Sequence, residues 1–267
     1  MGLRKYTYYL SSIGKLLTGV RPLATVARVF LHMAPPGDQL VELPQVGVKF
    51  KVRGVMDIWS VKETFLDRFY EKYSEPIQDG WKILDIGGGI GDFTIFAALG
   101  RPSSAVYAFE PTPQSFALLQ ENLRLNKVAN VQGYAEAVWS EKGTLAIDTT
   151  VGEPGQFISH QVEGAAPQNG KVLVPSVSLA EVFGRLGLEQ VDLIKMDCEG
   201  AEYPVLFNAS DEVLGRIKRI VMEYHDNVTE FTHFDLERYL SAHGFQVQSF
   251  ENPVHNYLGY LYAWRER

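Results

Sequence analysis

The chain has 267 residues, 46% of them hydrophobic, enough to bury one sizeable core and to form a single folded unit with additions. A formal net charge of −7 gives it no global attraction for phosphate backbones, which argues against nucleic acid as a partner. Cys198, the only cysteine, excludes an internal disulfide and a cysteine-rich zinc site and fits a reducing compartment such as the cytoplasm.

Charge is unevenly spread at the amino end. Arg4, Lys5, Lys15, Arg21 and Arg28 precede the first acidic residue, Asp38, amid Tyr6, Tyr8, Tyr9, Leu10, Leu16 and Leu17. Lys15 and Arg21 interrupt the apolar run that a secretory signal or a membrane span would need. Residues 1–34 therefore read as amphipathic helices, either lying peripherally on an anionic membrane face or packed on the protein's own domain as a cap. The cap is favoured, because such helices mostly bury their apolar face within their own fold.

Beyond Pro35-Pro36-Gly37, Val46, Val48, Phe50 and Val52 alternate with Gly47, Lys49, Lys51 and Arg53, the period of a half-buried strand. Residues 58–73 place Ile58, Val61, Phe65, Leu66, Phe69 and Tyr73 at helical spacing, and Pro76 and Gly80 end the element. From Trp81 strands at 82–86, 105–109, 131–138, 191–196 and 217–224 alternate with helices starting at Asp92 and spanning 113–126, 179–186 and 234–243, with helical turns reaching Leu214. Closing strands follow at 245–250 and 257–264. Such alternation builds a doubly wound, mostly parallel α/β sheet through right-handed crossovers. Extra strands at 144–147 and 172–177 flank a Gly-, Pro- and Gln-rich stretch, 152–170, whose composition predicts a surface loop able to act as a lid. The predicted division is a helical cap with a β segment at 1–55 and a ligand-binding domain at 56–267.

Chemistry concentrates at the strand ends. Ile83-Leu84-Asp85-Ile86-Gly87-Gly88-Gly89-Ile90-Gly91-Asp92 is an apolar strand running into glycines that open a helix, where backbone can approach a ligand and free N–H groups favour its negative end. Asp85 stands two positions before the first glycine, where a carboxylate can pair with an ammonium group. The dinucleotide fingerprint wants a third glycine where this chain has Asp92. Glu110 ends the next strand, where an acceptor pair can hold a ribose diol, and Glu136 sits at an edge where an adenine amino group would need an acceptor.

Asp197, Glu199 and Glu202 crowd the tip of the strand ending at Met196. Three close carboxylates repel one another, which suggests a cation, a shared proton or a bound ligand; the plainer alternative is a solvated acidic turn capping the next helix. Glu223 and His225 reach the same edge on one face of their strand, with Tyr224 on the other. An imidazole at His225 is suited to taking a proton from a hydroxyl near neutral pH.

Taken together, Leu84-Asp85-Ile86-Gly87-Gly88-Gly89-Ile90-Gly91, Phe109-Glu110-Pro111 with Asn122 and Leu125-Asn126, Ile194-Lys195-Met196-Asp197-Cys198-Glu199-Gly200-Ala201-Glu202, and Glu223-Tyr224-His225 resemble the FkbM family of S-adenosylmethionine-dependent methyltransferases. The likeness runs from 81 to about 226 and leaves 1–55 outside it. It implies a class I methyltransferase, Rossmann-like fold, S-adenosylmethionine as cofactor, and O-methylation of sugars, glycolipids, polyketides or other small molecules. It also implies that Asp85, Gly87 and Gly89 line the methionine end of the cofactor, Glu110 its ribose and Glu136 its adenine, with Asp197 near the methyl group; Asp92 completes the cofactor-binding set. The family usually shows Ala-Asn where this chain has Gly88-Gly89, and valine is commoner than Cys198.

The mechanism expected on this basis is in-line displacement at the sulfonium methyl, with His225 first and Asp197 or Glu199 second as proton acceptor. Asp197 with Asp226 and Asn227 offers oxygen ligands resembling the metal site of catechol-type O-methyltransferases, but Asp226-Asn227 is also an ordinary turn dipeptide and no metal is expected. Two rival readings stay open. An NAD-dependent oxidoreductase or epimerase would share the glycine turn and Glu110 but leave the acidic run unexplained. A catalytically silent nucleotide-binding domain would use its basic amino segment to dock on membrane or a partner.

Overall fold

The computed structural model describes residues 2–148, 158–161 and 170–265. Helices α1 (Gly2–Gly19) and α2 (Leu23–Phe30) lead into an antiparallel ribbon of β1 (Gln39–Leu43) and β2 (Val48–Val52). Alternation places Val48, Phe50 and Val52 of β2 inward and Lys49 outward. The helix expected over 58–73 is two helices, α3 (Val55–Phe65) and α4 (Phe69–Lys72). Asp67 is drawn aside into ion pairs with Lys62 at 2.7 Å and Lys15 at 2.5 Å, and Arg68 then turns the chain through a left-handed φ of 49°.

The alternating segment follows as β3 (Lys82–Ile86), α5 (Asp92–Ala98), β4 (Ala105–Phe109), α6 (Pro113–Leu125) and β5 (Val131–Tyr134). The strand expected to run on to 138 stops at Tyr134. The chain bends through Ala135 and Glu136, whose carboxylate is tied to Arg185 at 2.7 Å, and resumes as β6 (Ala137–Trp139) in a different sheet. That second sheet also holds β7 (Gly143–Asp148), β8 (Ile158–Gln161) and β9 (Lys171–Ser178), in the order β6-β9-β7-β8. Most of the expected lid at 152–170 lies outside the described residues; 158–161 is a strand paired with β7, not loop.

Helix α7 (Leu179–Leu186) starts on a Ser178–Glu181 capping box and ends at Gly187 in the left-handed region. Then come β10 (Leu193–Met196), α8 (Glu202–Phe207), α9 (Asp211–Gly215), β11 (Arg219–His225), α10 (His233–Ala242), β12 (Gln246–Glu251) and β13 (Leu258–Trp264). The main sheet has seven strands in the order β12-β13-β11-β10-β3-β4-β5, parallel except for β13. Strand order reverses between β3 and β10. Crevices form at such a switch point, outside the carboxyl ends of the strands.

Each face of the sheet buries alternate residues. Ile83, Val106, Leu193 and Val221 join one apolar cluster with β2, α3 and α5, while Leu84, Phe109, Ile194 and Met222 join another with α7, α8 and α10. Leu16, Val20, Val26 and Val29 of α1 and α2 belong to the first cluster. Lys62 of α3, wholly buried, donates to Ser12 of α1 at 2.7 Å beneath the Trp59 ring. Two asparagines, Asn122 of α6 and Asn126 just past its end, serve the fold. Asn126 and Asn122 accept from the N–H of Lys49 and Lys51 at 2.9 and 2.7 Å, and their amides donate back to the same residues' carbonyls, so a helix face satisfies the edge of β2 where a third strand would otherwise be needed.

Candidate active site

A cleft opens at the switch point between the ends of β3, β4 and β10, the place where open α/β sheets bind ligands. The glycine turn forms its floor. At Gly87, φ is +80° and a Cβ would stand 1.9 Å from the carbonyl oxygen of Asp197, so only glycine lets β3 turn past the tip of β10. At Gly89 a Cβ would meet nothing within 4 Å, and the demand is only for a left-handed φ of +52°, which asparagine also tolerates.

Glu110 stands on the cleft wall. It accepts from the N–H of Gly89 and of Thr112, each at 2.9 Å, and from the Thr112 hydroxyl. A carboxylate has about four acceptor positions, so three donors leave room for a ligand hydroxyl. Burial raises its pKa against the pull of these donors. Asp92, also on the lining, is held by the hydroxyls of Ser60, at 2.9 Å, and Thr64 of α3.

Asp85 does not reach the cleft. It lies fully buried beneath the glycine turn, paired with Lys195 at 3.1 Å and accepting from the Thr94 hydroxyl, while Lys195 also donates to the Gly87 carbonyl at 2.7 Å. The ammonium group expected opposite Asp85 is therefore the protein's own. Burial would lower the Lys195 pKa, but Asp85, Asp197 and Asp92 raise it, so this side chain stays charged. Glu136 is also away from the cleft, in its ion pair with Arg185, and the nearby lining is apolar: Phe109, Ala137, Val138 and Ile147.

The acids after β10 have separate fates. Asp197 and Glu199 line the cleft, whereas Glu202 is 0% exposed and accepts from the N–H of Cys198 and Gly200, each at 2.8 Å. The turn is thus capped as the plainer alternative expected, but inside the protein and not in solvent. His225, 5% exposed, sits behind Glu199, with Nε2 at 3.3 Å from that carboxylate and Nδ1 at 3.4 Å from Glu202. Burial alone would lower its pKa; Glu202, Glu199 and Glu223 instead push it up to about 10. His225 is not on the cleft lining, and its three carboxylate neighbours favour the imidazolium, a cation set among the crowded acids; the structure therefore puts Asp197 and Glu199, not His225, on the cleft where an acceptor would stand.

Glu223 is the residue to set beside Asp197. Asp197, Glu223 and His225 present ligand atoms within 4.8 Å of one another. Burial and then the Asp197 charge hold the Glu223 pKa well above the usual carboxylate range. Tyr70 of α4 donates to Asp197 Oδ2 at 3.0 Å, and its own pKa, raised by burial and by Asp197, keeps it a donor. Asp226 takes no part. Its oxygens accept from the Tyr203 hydroxyl and the His233 backbone and pair with the His233 ring, all at 2.7 Å, so it cannot join Asp197 in an oxygen-ligand set. Ser60, Thr64 and Tyr70 carry no motif that pointed to the site, because their approach depends on how α3 and α4 pack.

Among the described residues, four carboxylates, Asp92, Glu110, Asp197 and Glu199, line the cleft against one cation, Lys195. That donor set fits a cofactor built around a positive sulfur, and it opposes the pyrophosphate of a dinucleotide. The Methyltransferase FkbM domain family matches residues 85–247. Methyltransferase 1 of Beauveria bassiana is 30% identical over 202 residues, covering 70% of this chain and 80% of its own length. The 31-O-demethyl-FK506 methyltransferase FkbM of Streptomyces tacrolimicus is 28% identical, covering 72% and 83%. A solved structure, methyltransferase FkbM from Methylobacillus flagellatus KT, shares the fold with a TM-score of 0.50 at 15% identity, over 78% of this chain and 53% of that one. With a class I sheet, a cleft suited to a sulfonium nucleoside and a family match over most of the chain, this protein uses S-adenosylmethionine and belongs to the FkbM methyltransferase family.

Proposed function

We propose that this methyltransferase acts on a hydroxyl oxygen of a sugar, glycolipid or other small hydroxylated acceptor. The observation that carries the reading is the carboxyl pair Asp197 and Glu223 at adjacent strand tips, one lining the cleft and the other holding a raised pKa. An alcohol is a poor nucleophile until its proton has somewhere to go, and the Asp197 carboxylate on the cleft lining supplies that acceptor, with Glu223 close enough to share its charge. The Streptomyces relative, named as a 31-O-demethyl-FK506 methyltransferase, supports an oxygen acceptor.

When bound, S-adenosylmethionine supplies a methyl group already activated on a positive sulfur. The work left to the chain is orientation and proton removal. Gly87 and Gly89 would present backbone to the methionine end, Glu110 would accept from a ribose hydroxyl, and the apolar lining of Phe109, Val138 and Ile147 would take the base. Asp197, steadied by Tyr70, receives the acceptor proton as the oxygen–methyl bond forms and the sulfur–methyl bond breaks, while Glu223 stands beside it and His225 fixes Glu199 and Glu202. Residues 1–55 act as a cap on the domain at 56–267. The positive charge that a divalent ion would bring is already present as Lys195 and His225, so activity should survive exhaustive chelation.

The test is transfer from S-adenosylmethionine carrying an isotopically labelled methyl group to a panel of glycosides, a glycolipid and a polyketide alcohol, with the product bond located by NMR. Label in an alkali-stable methyl ether supports the reading. Label on nitrogen or carbon, or in an alkali-labile ester, overturns it.

A further inference from the structure

Helix α1 has two faces with opposite fates. Ser12, Leu16, Gly19 and Val20 turn inward, and Tyr8 contacts Glu63 and Trp59 of α3. On the other side Tyr6 (69% exposed), Leu10 (69%), Ile13 (52%) and Leu17 (53%) recur at intervals of four, three and four residues, one continuous apolar stripe open to solvent. Leu23, Leu31 and Met33, at the ends of α2, add further exposed apolar surface. A helix whose only task was to cap the domain would carry polar residues along this outer line. Four large apolar side chains in register on a solvent face mark a binding surface.

Charge identifies the occupant. The first 37 residues hold five lysines and arginines and no acid, in a chain whose net charge is −7, so the acidic excess lies wholly in the remainder. Of these cations Lys5, on the flank of α1, and Arg28 of α2 are exposed, while Lys15 is paired with Asp67. A second copy of the chain would bring the same cations together, which disfavours self-association through this face. An anionic lipid surface complements both features at once: the stripe enters the boundary between headgroups and acyl chains, with Tyr6 and Tyr9 at headgroup level, and the cations meet lipid phosphates. No helix among the described residues is long and apolar enough to cross a membrane, so the contact would lie in the plane of the interface.

We propose that the outer face of α1, with the ends of α2, docks the enzyme on an anionic phospholipid bilayer. Through α3, whose Ser60 and Thr64 hold Asp92 on the cleft lining, only one helix separates this face from the active site. The test is co-sedimentation of the full chain with phosphatidylcholine vesicles, with and without phosphatidylglycerol, at rising salt. Binding should require phosphatidylglycerol and weaken as salt increases. Ile13→Glu with Leu17→Glu should weaken it at least about tenfold, and Lys5→Glu with Arg28→Glu should cost about fivefold for each cation removed. Both double variants should keep the wild-type melting temperature and S-adenosylmethionine affinity. If the glutamate pair unfolds the chain, Ile13→Ser with Leu17→Ser carries the same test. Equal binding to neutral vesicles, no binding to either, or undiminished binding by the apolar variants overturns the proposal. So does a dimer in sedimentation analysis that the apolar variants dissociate, because it would show the face occupied by a second copy.

Discussion

On one side of the cleft the chain presents mostly backbone: the glycine turn, braced from beneath by Asp85 and Lys195 and from the side by Glu110, all within or between neighbouring strands. On the other side the lining is built by side chains from distant segments, Tyr70 from α4 and Asp197 after β10, with Glu223 and His225 of β11 close to Asp197 but off the lining. The first wall is set by conformation and tolerates little change of shape. The second is set by charge, with proton affinities that depend on each partner being in place. Binding and chemistry are thereby divided between two kinds of construction, and substitutions on the two walls should fail differently.

The largest effect is expected on the charged wall. Asp197→Asn keeps the shape and the Tyr70 contact but removes the carboxylate, and turnover should fall about a thousandfold, or about 4 kcal/mol of barrier. Affinity for S-adenosylmethionine should change far less. Single-turnover methyl transfer alongside calorimetric titration separates the two, and near-normal turnover would take Asp197 out of the proton path.

On the conformational wall, Gly87→Ala must place a Cβ 1.9 Å from backbone at a φ of +80°. Destabilisation of about 3 kcal/mol is expected, a drop in melting temperature on the order of 10 °C. Here cofactor affinity and stability should fall together, which is the reverse of the Asp197 pattern. A variant that melts like wild type would mean the turn has slack that its contacts do not reveal.

How much of each wall is legible in the sequence follows from this difference. The glycine turn, the parallel alternation and the acids at strand tips are local patterns, and the doubly wound sheet with its crevice is the arrangement they predict. Side-chain partnership across segments is not local. Asp85 looks like a ligand-facing acid until Lys195, itself inside a motif, proves to be its partner. His225 looks like a base because an isolated imidazole is one; Glu202 and Glu199 make it a fixed cation. Glu136 follows an apolar strand pattern that runs straight on, and nothing in that pattern signals the bend that turns it towards Arg185. At the split between α3 and α4, which brings Tyr70 to Asp197, Asp67 is held by Lys15 across 52 residues of sequence, a contact no local pattern signals.

The role of His225 can be read from pH. Its pKa in the folded protein, about 10, is above the ordinary 6.5, so its stabilising contribution is complete below pH 6.5 and is lost as pH rises through 10. Wild type should therefore lose stability across that window relative to His225→Gln, which has no proton to lose. The difference should be on the order of a few kcal/mol, measured by chemical denaturation at a series of pH values. Parallel curves for the two proteins would mean that His225 is neutral in the native state, and its candidacy as proton acceptor would reopen.

The smallest effect is expected where an acid of the sequence motif has been drawn off the cleft. Glu110→Gln replaces an acceptor that already holds the Gly89 and Thr112 N–H groups on the lining, and should weaken S-adenosylmethionine binding about tenfold. Glu136→Gln only exchanges a partly exposed ion pair with Arg185 for a neutral contact, and such pairs contribute at most about 1 kcal/mol. Its cofactor affinity should stay within about threefold of wild type. Titration of both variants under one buffer decides the matter: an equal loss at the two positions would return Glu136 to the adenine site, and would require the bend at Ala135 and Glu136 to rearrange when cofactor binds.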